Sequence, residues 1–269
     1  MPMWTKGQLT TYREQGFLVQ SGLIPPDQIE RLRSAADEMM SEQADNPPEV
    51  HMVREKSGPV RSVFCMHRNV QPFRELCRSE PIAGPVKQIF GSDAYIFHSK
   101  LNYKESFEGT VWLWHQDYGY WRYDGVDDRL ASALVMLGPN TRNNGSIALV
   151  KGSHRWGVLD HYSDEITTSY KQWCITPEAL REHITDESMI IPIEGDAGDV
   201  CFFDCRIVHG SNHNFSPAQR YSLIYAFAAI DNVPGGVDNP RPDWVVARQF
   251  EPVTAEVPDL GTGAVRANF

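Results

Sequence analysis

Two histidines and one aspartate carry the first chemical signal in this 269-residue chain. His115-Gln116-Asp117 stand together, and His209 opens His209-Gly210-Ser211-Asn212 far downstream, eleven residues before Arg220. Two imidazoles and a carboxylate occupy three corners of a metal and leave the opposite face open. That arrangement suits a non-haem Fe(2+) holding a chelating co-substrate and O2 together. Arg220 supplies the fixed positive charge that a dicarboxylate co-substrate needs. A zinc hydrolase could use the same three ligands but has no role for Arg220. A non-catalytic jelly-roll domain that binds metal or ligand has no need of all four residues.

The elements that must place these groups read as strands. In Thr110 to Asp117 successive side chains alternate faces, so His115 and Asp117 share one cavity. The same alternation sends Trp112, Trp114 and Gln116 to the other face, where the tryptophans are expected to pack against covering helices. His-x-Asp alone is weak evidence in a chain with nine histidines. Its context strengthens it: His209 follows the strand-like Asp199-Val-Cys-Phe-Phe, and Arg220 begins another strand with Ser222 on its face. Strands are predicted at 94–103, 110–117, 130–137, 146–150, 199–204 and 220–229, separated by Asn/Gly/Pro turns.

Before residue 94 the pattern is helical. Helices are predicted at Leu9 to Gln15, from Pro25-Pro26-Asp27 through Met40, and at Pro81 to Phe90, with a short strand at Gly16 to Val19. Asp45 to Pro59 reads as loop, and 155–194 as an irregular insertion with a helix at 177–183. The expected fold class is α+β, a double-stranded β-helix (jelly roll, cupin-like) core buttressed by N-terminal helices. One domain over 1–269 is expected: a helical part to about 92, the core from about 93 to 232, and a tail from 233.

A net charge of −10 argues against nucleic acid as a partner. The longest apolar run, Leu223 to Ile230, is far short of the ~20 residues that span a bilayer, and the first residues lack a signal-peptide core. Five cysteines without a CxxC pair point to free thiols in the cytoplasm. The expected partner is a small-molecule substrate, and the expected assembly a monomer or homodimer.

Longer stretches carry a family resemblance. They are Val60-Arg61-Ser62-Val63-Phe64 with His67, Ser99-Lys100-Leu101-Asn102, and Trp114-His115-Gln116-Asp117 with Trp121. Asn140-Thr141 with Asn144-Gly145-Ser146, Gly152-Ser153-His154, and His209 to Asn212 with Arg220 complete the set. Together they resemble the phytanoyl-CoA dioxygenase family of Fe(2+)/2-oxoglutarate oxygenases, and within it the ectoine-hydroxylase-like branch. The resemblance implies that His115, Asp117 and His209 ligate iron and that Arg220 pairs with the distal carboxylate of 2-oxoglutarate. It also implies supporting cofactor contacts from Asn102, Ser211, Trp121 and Ser132. The implied reaction uses O2, releases succinate and CO2, and, with Asp117 present rather than vacated for a halide, hydroxylates.

The substrate is read from the departures. Where ectoine hydroxylases carry an acidic, threonine-containing stretch after the metal-binding aspartate, this chain has Tyr118-Gly119-Tyr120, and their glutamine near the 2-oxoglutarate site becomes His98. Gln116 is shared instead with phytanoyl-CoA hydroxylase. Candidate substrate contacts are His98, Gln116, Tyr118 and Tyr120, together with Arg61 from the matching Val60 to Phe64 segment and His67 beside it, and Lys100, Arg122 and Arg206 as further cations. Tyr118, Tyr120, Trp121 and Tyr123 could cage a cation or simply pack as a hydrophobic lid. The leading expectation is a small polar, amino-acid-like or zwitterionic metabolite. A lipophilic natural product or acyl thioester is the alternative, although no basic cluster for a pyrophosphate is evident.

Overall fold

The computed structural model describes residues 3–45, 52–168 and 171–253. The expected tail beyond residue 253, and the part of the Asp45–Pro59 loop at 46–51, lie outside the described residues. The first elements are α1 (Lys6–Gln15), β1 (Phe17–Gln20), α2 (Pro26–Asp45), β2 (Met52–Arg54) and β3 (Val60–Phe64). Next come α3 (Met66–Asn69), α4 (Gln71–Arg78), α5 (Glu80–Phe90), β4 (Ala94–Lys104) and β5 (Trp112–His115). They are followed by α6 (Asp117–Trp121), β6 (Leu130–Met136), β7 (Ile147–Val150), β8 (His161–Asp164) and β9 (Gln172–Ile175). The last are α7 (Pro177–His183), β10 (Ile190–Pro192), β11 (Val200–Asp204), β12 (His209–Ser211) and β13 (Arg220–Ala229).

Two antiparallel sheets face each other as a jelly roll. The large one runs β1-β11-β6-β13-β4-β3-β2 and the small one β10-β7-β12-β5. Strand alternation decides what each face does. On β13, Tyr221, Leu223, Tyr225 and Phe227 pack outward against the helices in the main core, together with Leu32, Phe73, Ile82 and Val86. Full burial of such a side chain contributes about 1.5–3 kcal/mol. The intervening Arg220, Ser222 and Ile224 line the cavity between the sheets.

The N-terminal part is not only helical. β1, β2 and β3 belong to the large sheet, β1 pairing with β11 and β3 with β4, so no seam falls near residue 92. The first helix begins earlier than its apolar pattern suggests. Thr5 accepts a hydrogen bond from the Gln8 amide and Gln8 Oε1 accepts one from Thr5 N, a capping box that supports a polar first turn. It ends at Gly16, whose φ of 85° and contact with His154 leave no room for a Cβ. The insertion expected to be irregular holds the β8–β9 hairpin as well as α7.

Candidate active site

His115 ends β5, Asp117 starts α6 one extended residue later, and His209 starts β12 directly opposite His115. The two imidazole centroids are 4.1 Å apart, and Asp117 Oδ1 lies 3.9 Å from His115 Nε2 and 4.0 Å from His209 Nε2. All three are buried, and their donor atoms lie within 4.8 Å of one another. Among the described residues they are the one such cluster of metal-ligating side chains.

The hydrogen bonds of both histidines suit them to hold a metal. His115 Nδ1 is 2.6 Å from the Leu113 carbonyl and His209 Nδ1 3.0 Å from the Ile207 carbonyl. A carbonyl only accepts, so each Nδ1 carries the proton and each Nε2 presents its lone pair. Burial pushes both imidazoles below their ordinary pKa; His115 is lowered further by His209, while Asp117 opposes the shift at His209. Neutral imidazoles and a carboxylate at this separation fit Fe(2+).

A β-bulge shapes the cavity beside them. His209 pairs with His115 but Ser211 pairs with Trp112, so β5 has one more residue than its partner across this step. The expected alternation therefore breaks. Trp112 turns inward and lines the cavity with His115 and His209, while Trp114 packs outward beside Leu159, Ile175 and α7. Under Trp112 lies Arg61, its guanidinium carbon 4.1 Å from the ring centroid and Nη1 2.8 Å from the buried Glu55.

Arg220 closes the far end of this cavity, which Lys100, Asn102, Ser211 and Ser222 also line. Its Nη1 reaches Ser222 Oγ at 3.0 Å and Asn140 Oδ1 at 3.3 Å, and its Nε has no partner. Burial lowers this guanidinium to about 10. A buried guanidinium held by neutral groups alone is electrostatically unsatisfied and fits a carboxylate ligand. Ser211 Oγ and Ser132 Oγ are likewise buried without a partner, and Asn102 accepts from Ser62 Oγ at 2.8 Å. The donor set suits 2-oxoglutarate, one carboxylate of which Arg220 would hold.

A second cluster of side chains packs along β4. A bulge at Phe97 brings it and His98 against Trp121, with ring centroids 5.3 and 5.5 Å away. Both nitrogens of His98 are buried and unpartnered. Phe64 flanks His98 and meets Trp244 edge-on at 5.0 Å. Arg241, paired to the buried Asp124 through Nε at 2.9 Å, lies close enough to act electrostatically on both His98 and Lys100. Trp244 and Arg241 carry no motif in the sequence; the course of the 241–247 segment beside β4 reveals them.

Several expected substrate contacts sit elsewhere. His67 bonds Ser99 Oγ, 2.7 Å away, on the face of β4 opposite His98 and Lys100, though near enough to His98 to act on it electrostatically. Gln116 Nε2 and Oε1 are engaged by backbone groups of Gly157, Leu159 and Arg206. Tyr118 donates to the Val126 carbonyl at 3.2 Å and Tyr120 accepts from Trp173 N at 2.5 Å, tying α6 to its surroundings. Arg61 is committed to Glu55 and the wall under Trp112, and Arg206 pairs with Asp204 and Asp128. Arg122 lies on the outside over the exposed Tyr123.

The fold, the His115/Asp117/His209 cluster and the cavity beside it define a non-haem iron oxygenase that uses 2-oxoglutarate. The sequence matches the phytanoyl-CoA dioxygenase (PhyH) family over residues 12–222, and the chain belongs to that family. It is 33% identical over 257 residues to the ectoine dioxygenase of Streptomyces anulatus, covering 91% of this chain and 86% of that protein. The ectoine dioxygenase of Sphingopyxis alaskensis is 29% identical over 262 residues, covering 93% and 85%. The crystal structure of EctD from S. alaskensis with 2-oxoglutarate and 5-hydroxyectoine superposes with a TM-score of 0.81 at 28% identity, covering 96% and 90%. The 2-oxoglutarate-dependent carbocyclase SnoK from nogalamycin biosynthesis shares the fold, with a TM-score of 0.68 at 19% identity over 89% of this chain and 91% of that one. Fe(2+), 2-oxoglutarate and O2 are accordingly the cofactor and co-substrates of this enzyme.

Proposed function

We propose that this chain hydroxylates a carbon of a small zwitterionic, amino-acid-like metabolite, with His115, Asp117 and His209 holding the iron and Arg220 the 2-oxoglutarate. When bound, the iron and 2-oxoglutarate activate O2, releasing succinate and CO2 and transferring one oxygen atom to substrate. The protein's part is orientation. Arg220, Ser211, Asn102 and Lys100 would hold the co-substrate, and the His115 and His209 Nε2 atoms with Asp117 would hold the metal.

The observation that carries the substrate assignment is His98. An imidazole buried with both nitrogens unpartnered offers one donor and one acceptor to a polar ligand. Trp121 presents an aromatic edge or face to a cationic part. Relatives that carry the name ectoine dioxygenase support a substrate of this size and charge. Tyr118 and Tyr120, the replacements that set this chain apart from that branch, are both engaged in holding α6. His98 in place of glutamine is thus the departure that reaches the ligand.

The catalytic unit in this reading is the whole of residues 1–269, working as a monomer or homodimer in the cytoplasm. All five cysteines are buried and unpaired, in keeping with a reducing compartment. No helix among the described residues is long and apolar enough to cross a membrane. The test is substrate-stimulated succinate release with a panel of cyclic amino acids, betaines, phosphonates and acyl thioesters. A zwitterion is expected to stimulate release and gain one oxygen by mass. Stimulation by acyl thioesters alone would contradict the assignment.

A further inference from the structure

Gln116 stands between two of the three candidate ligands, is fully buried, and contributes nothing to the cavity. Its side chain makes three hydrogen bonds, all to main chain. Nε2 donates to the Gly157 carbonyl at 2.7 Å and to the Arg206 carbonyl at 2.7 Å, and Oε1 accepts from Leu159 N at 2.9 Å. Its own amide N–H faces His161 Nε2 at 3.4 Å, and its carbonyl accepts from Gly119 N at 2.9 Å.

The partners matter as much as their number. Arg206 directly precedes Ile207, whose carbonyl holds His209 Nδ1. A second tie, from Tyr118 N to the Cys205 carbonyl at 2.9 Å, runs beside it. On the other side, the 157–161 segment reaches back to His115-Gln116-Asp117 through both the amide and His161. His161 packs so closely on Gly119 that a Cβ there would come within 2.6 Å of its Nε2. We propose that Gln116 is a positioning residue: its single amide cross-links the His115/Asp117 segment to the segment that orients His209, and so sets the spacing of the metal ligands. The proposal rests on the iron site assigned above.

The chemistry demands this residue type. Two donors and one acceptor at this reach are a glutamine's inventory. A glutamate would face two carbonyl oxygens with no proton to give, and a methionine would leave two acceptors and the Leu159 N–H buried without partners. Groups that orient metal ligands typically change metal affinity 10–100-fold when removed.

The experiment is anaerobic titration of the metal-free parent, Gln116→Glu and Gln116→Met with Co(II), read by visible d–d absorption. Both variants are expected to bind Co(II) about 10- to 100-fold more weakly and with shifted bands. Parent affinity with an unshifted spectrum in both would overturn the proposal. A parent that takes up no Co(II) would instead contradict the metal site itself, so the two failures are distinguishable. Should neither variant fold, the wild-type protein decides. Coupling between the ligands and the amide is reciprocal, so Co(II) loading is expected to slow hydrogen exchange at Leu159 N–H. Unchanged exchange there would overturn the role given to Gln116.

Discussion

The Arg61 guanidinium carbon lies 4.1 Å from the Trp112 ring centroid, while Nη1 reaches Glu55 at 2.8 Å with the Arg61 and Glu55 side chains almost wholly buried. Trp112 in turn lines the cavity that ends at Arg220. A residue expected from the sequence to contact the substrate thus supports the wall of the cavity that ends at Arg220. Arg61→Met leaves Glu55 as a buried charge and should lower unfolding stability by about 3–5 kcal/mol. Adding Glu55→Gln should restore part of it. Urea denaturation measures both; a loss under 1 kcal/mol for the single variant would remove the structural role.

In the role proposed for it, Arg220 would supply the pocket's charge-assisted bonds to a carboxylate. Its replacement by alanine should weaken 2-oxoglutarate binding by about 30-fold or more, corresponding to about 2 kcal/mol or greater. Iron binding should be unchanged. Equilibrium binding of 2-oxoglutarate to the metal-loaded protein is the measurement, and an unaltered dissociation constant would refute the assignment.

His98 is expected to act on the substrate side alone. His98→Ala should raise the substrate KM at least 10-fold, leaving the 2-oxoglutarate dissociation constant within twofold, on the scale of losing hydrogen bonds worth about 1.5–3 kcal/mol to a charged group. Steady-state kinetics with the substrate found in the succinate screen separates the two. A matched loss in 2-oxoglutarate affinity would place His98 in the co-substrate pocket instead.

A pH dependence follows from His67. Burial, reinforced by Arg68, Arg78 and Arg74, holds its pKa well below the ordinary 6.5. Above that value both folded and unfolded chains are neutral here, and nothing is lost. As pH falls below about 6.5 the unfolded chain takes a proton that the folded one refuses, so stability drops until the folded pKa is reached. The slope from one such group is at most about 1.4 kcal/mol per pH unit. Urea midpoints between pH 7 and 5 should fall, and fall less steeply in His67→Asn. Equal slopes in the two proteins would contradict this.

Much of this architecture is legible in the sequence because burial and alternation leave marks. β13 reads as a strand since Tyr221, Leu223, Tyr225 and Phe227 face a core while Arg220 and Ser222 do not. His115, Asp117, His209 and Arg220 are legible as chemistry. What alternation cannot foresee is a bulge. One extra residue in β5 turns Trp112 inward, and another at Phe97 sets two consecutive residues on Trp121. Gln116 carries no mark distinguishing a ligand contact from a buried backbone latch, because its partners at 157, 159 and 206 are fixed only by tertiary structure. Short β2 and β12 lack the length for periodicity, and α3 and α4 follow a strand without an intervening turn signal.

The central claim is that His115, Asp117 and His209 hold an iron that 2-oxoglutarate chelates against Arg220. Anaerobic addition of Fe(2+) and 2-oxoglutarate to the purified protein tests it most directly, through the weak visible charge-transfer band of the chelate. The band is expected to grow to saturation in the parent and to be absent in Asp117→Ala. Metal bound with a flat spectrum on adding 2-oxoglutarate to the parent would contradict the account.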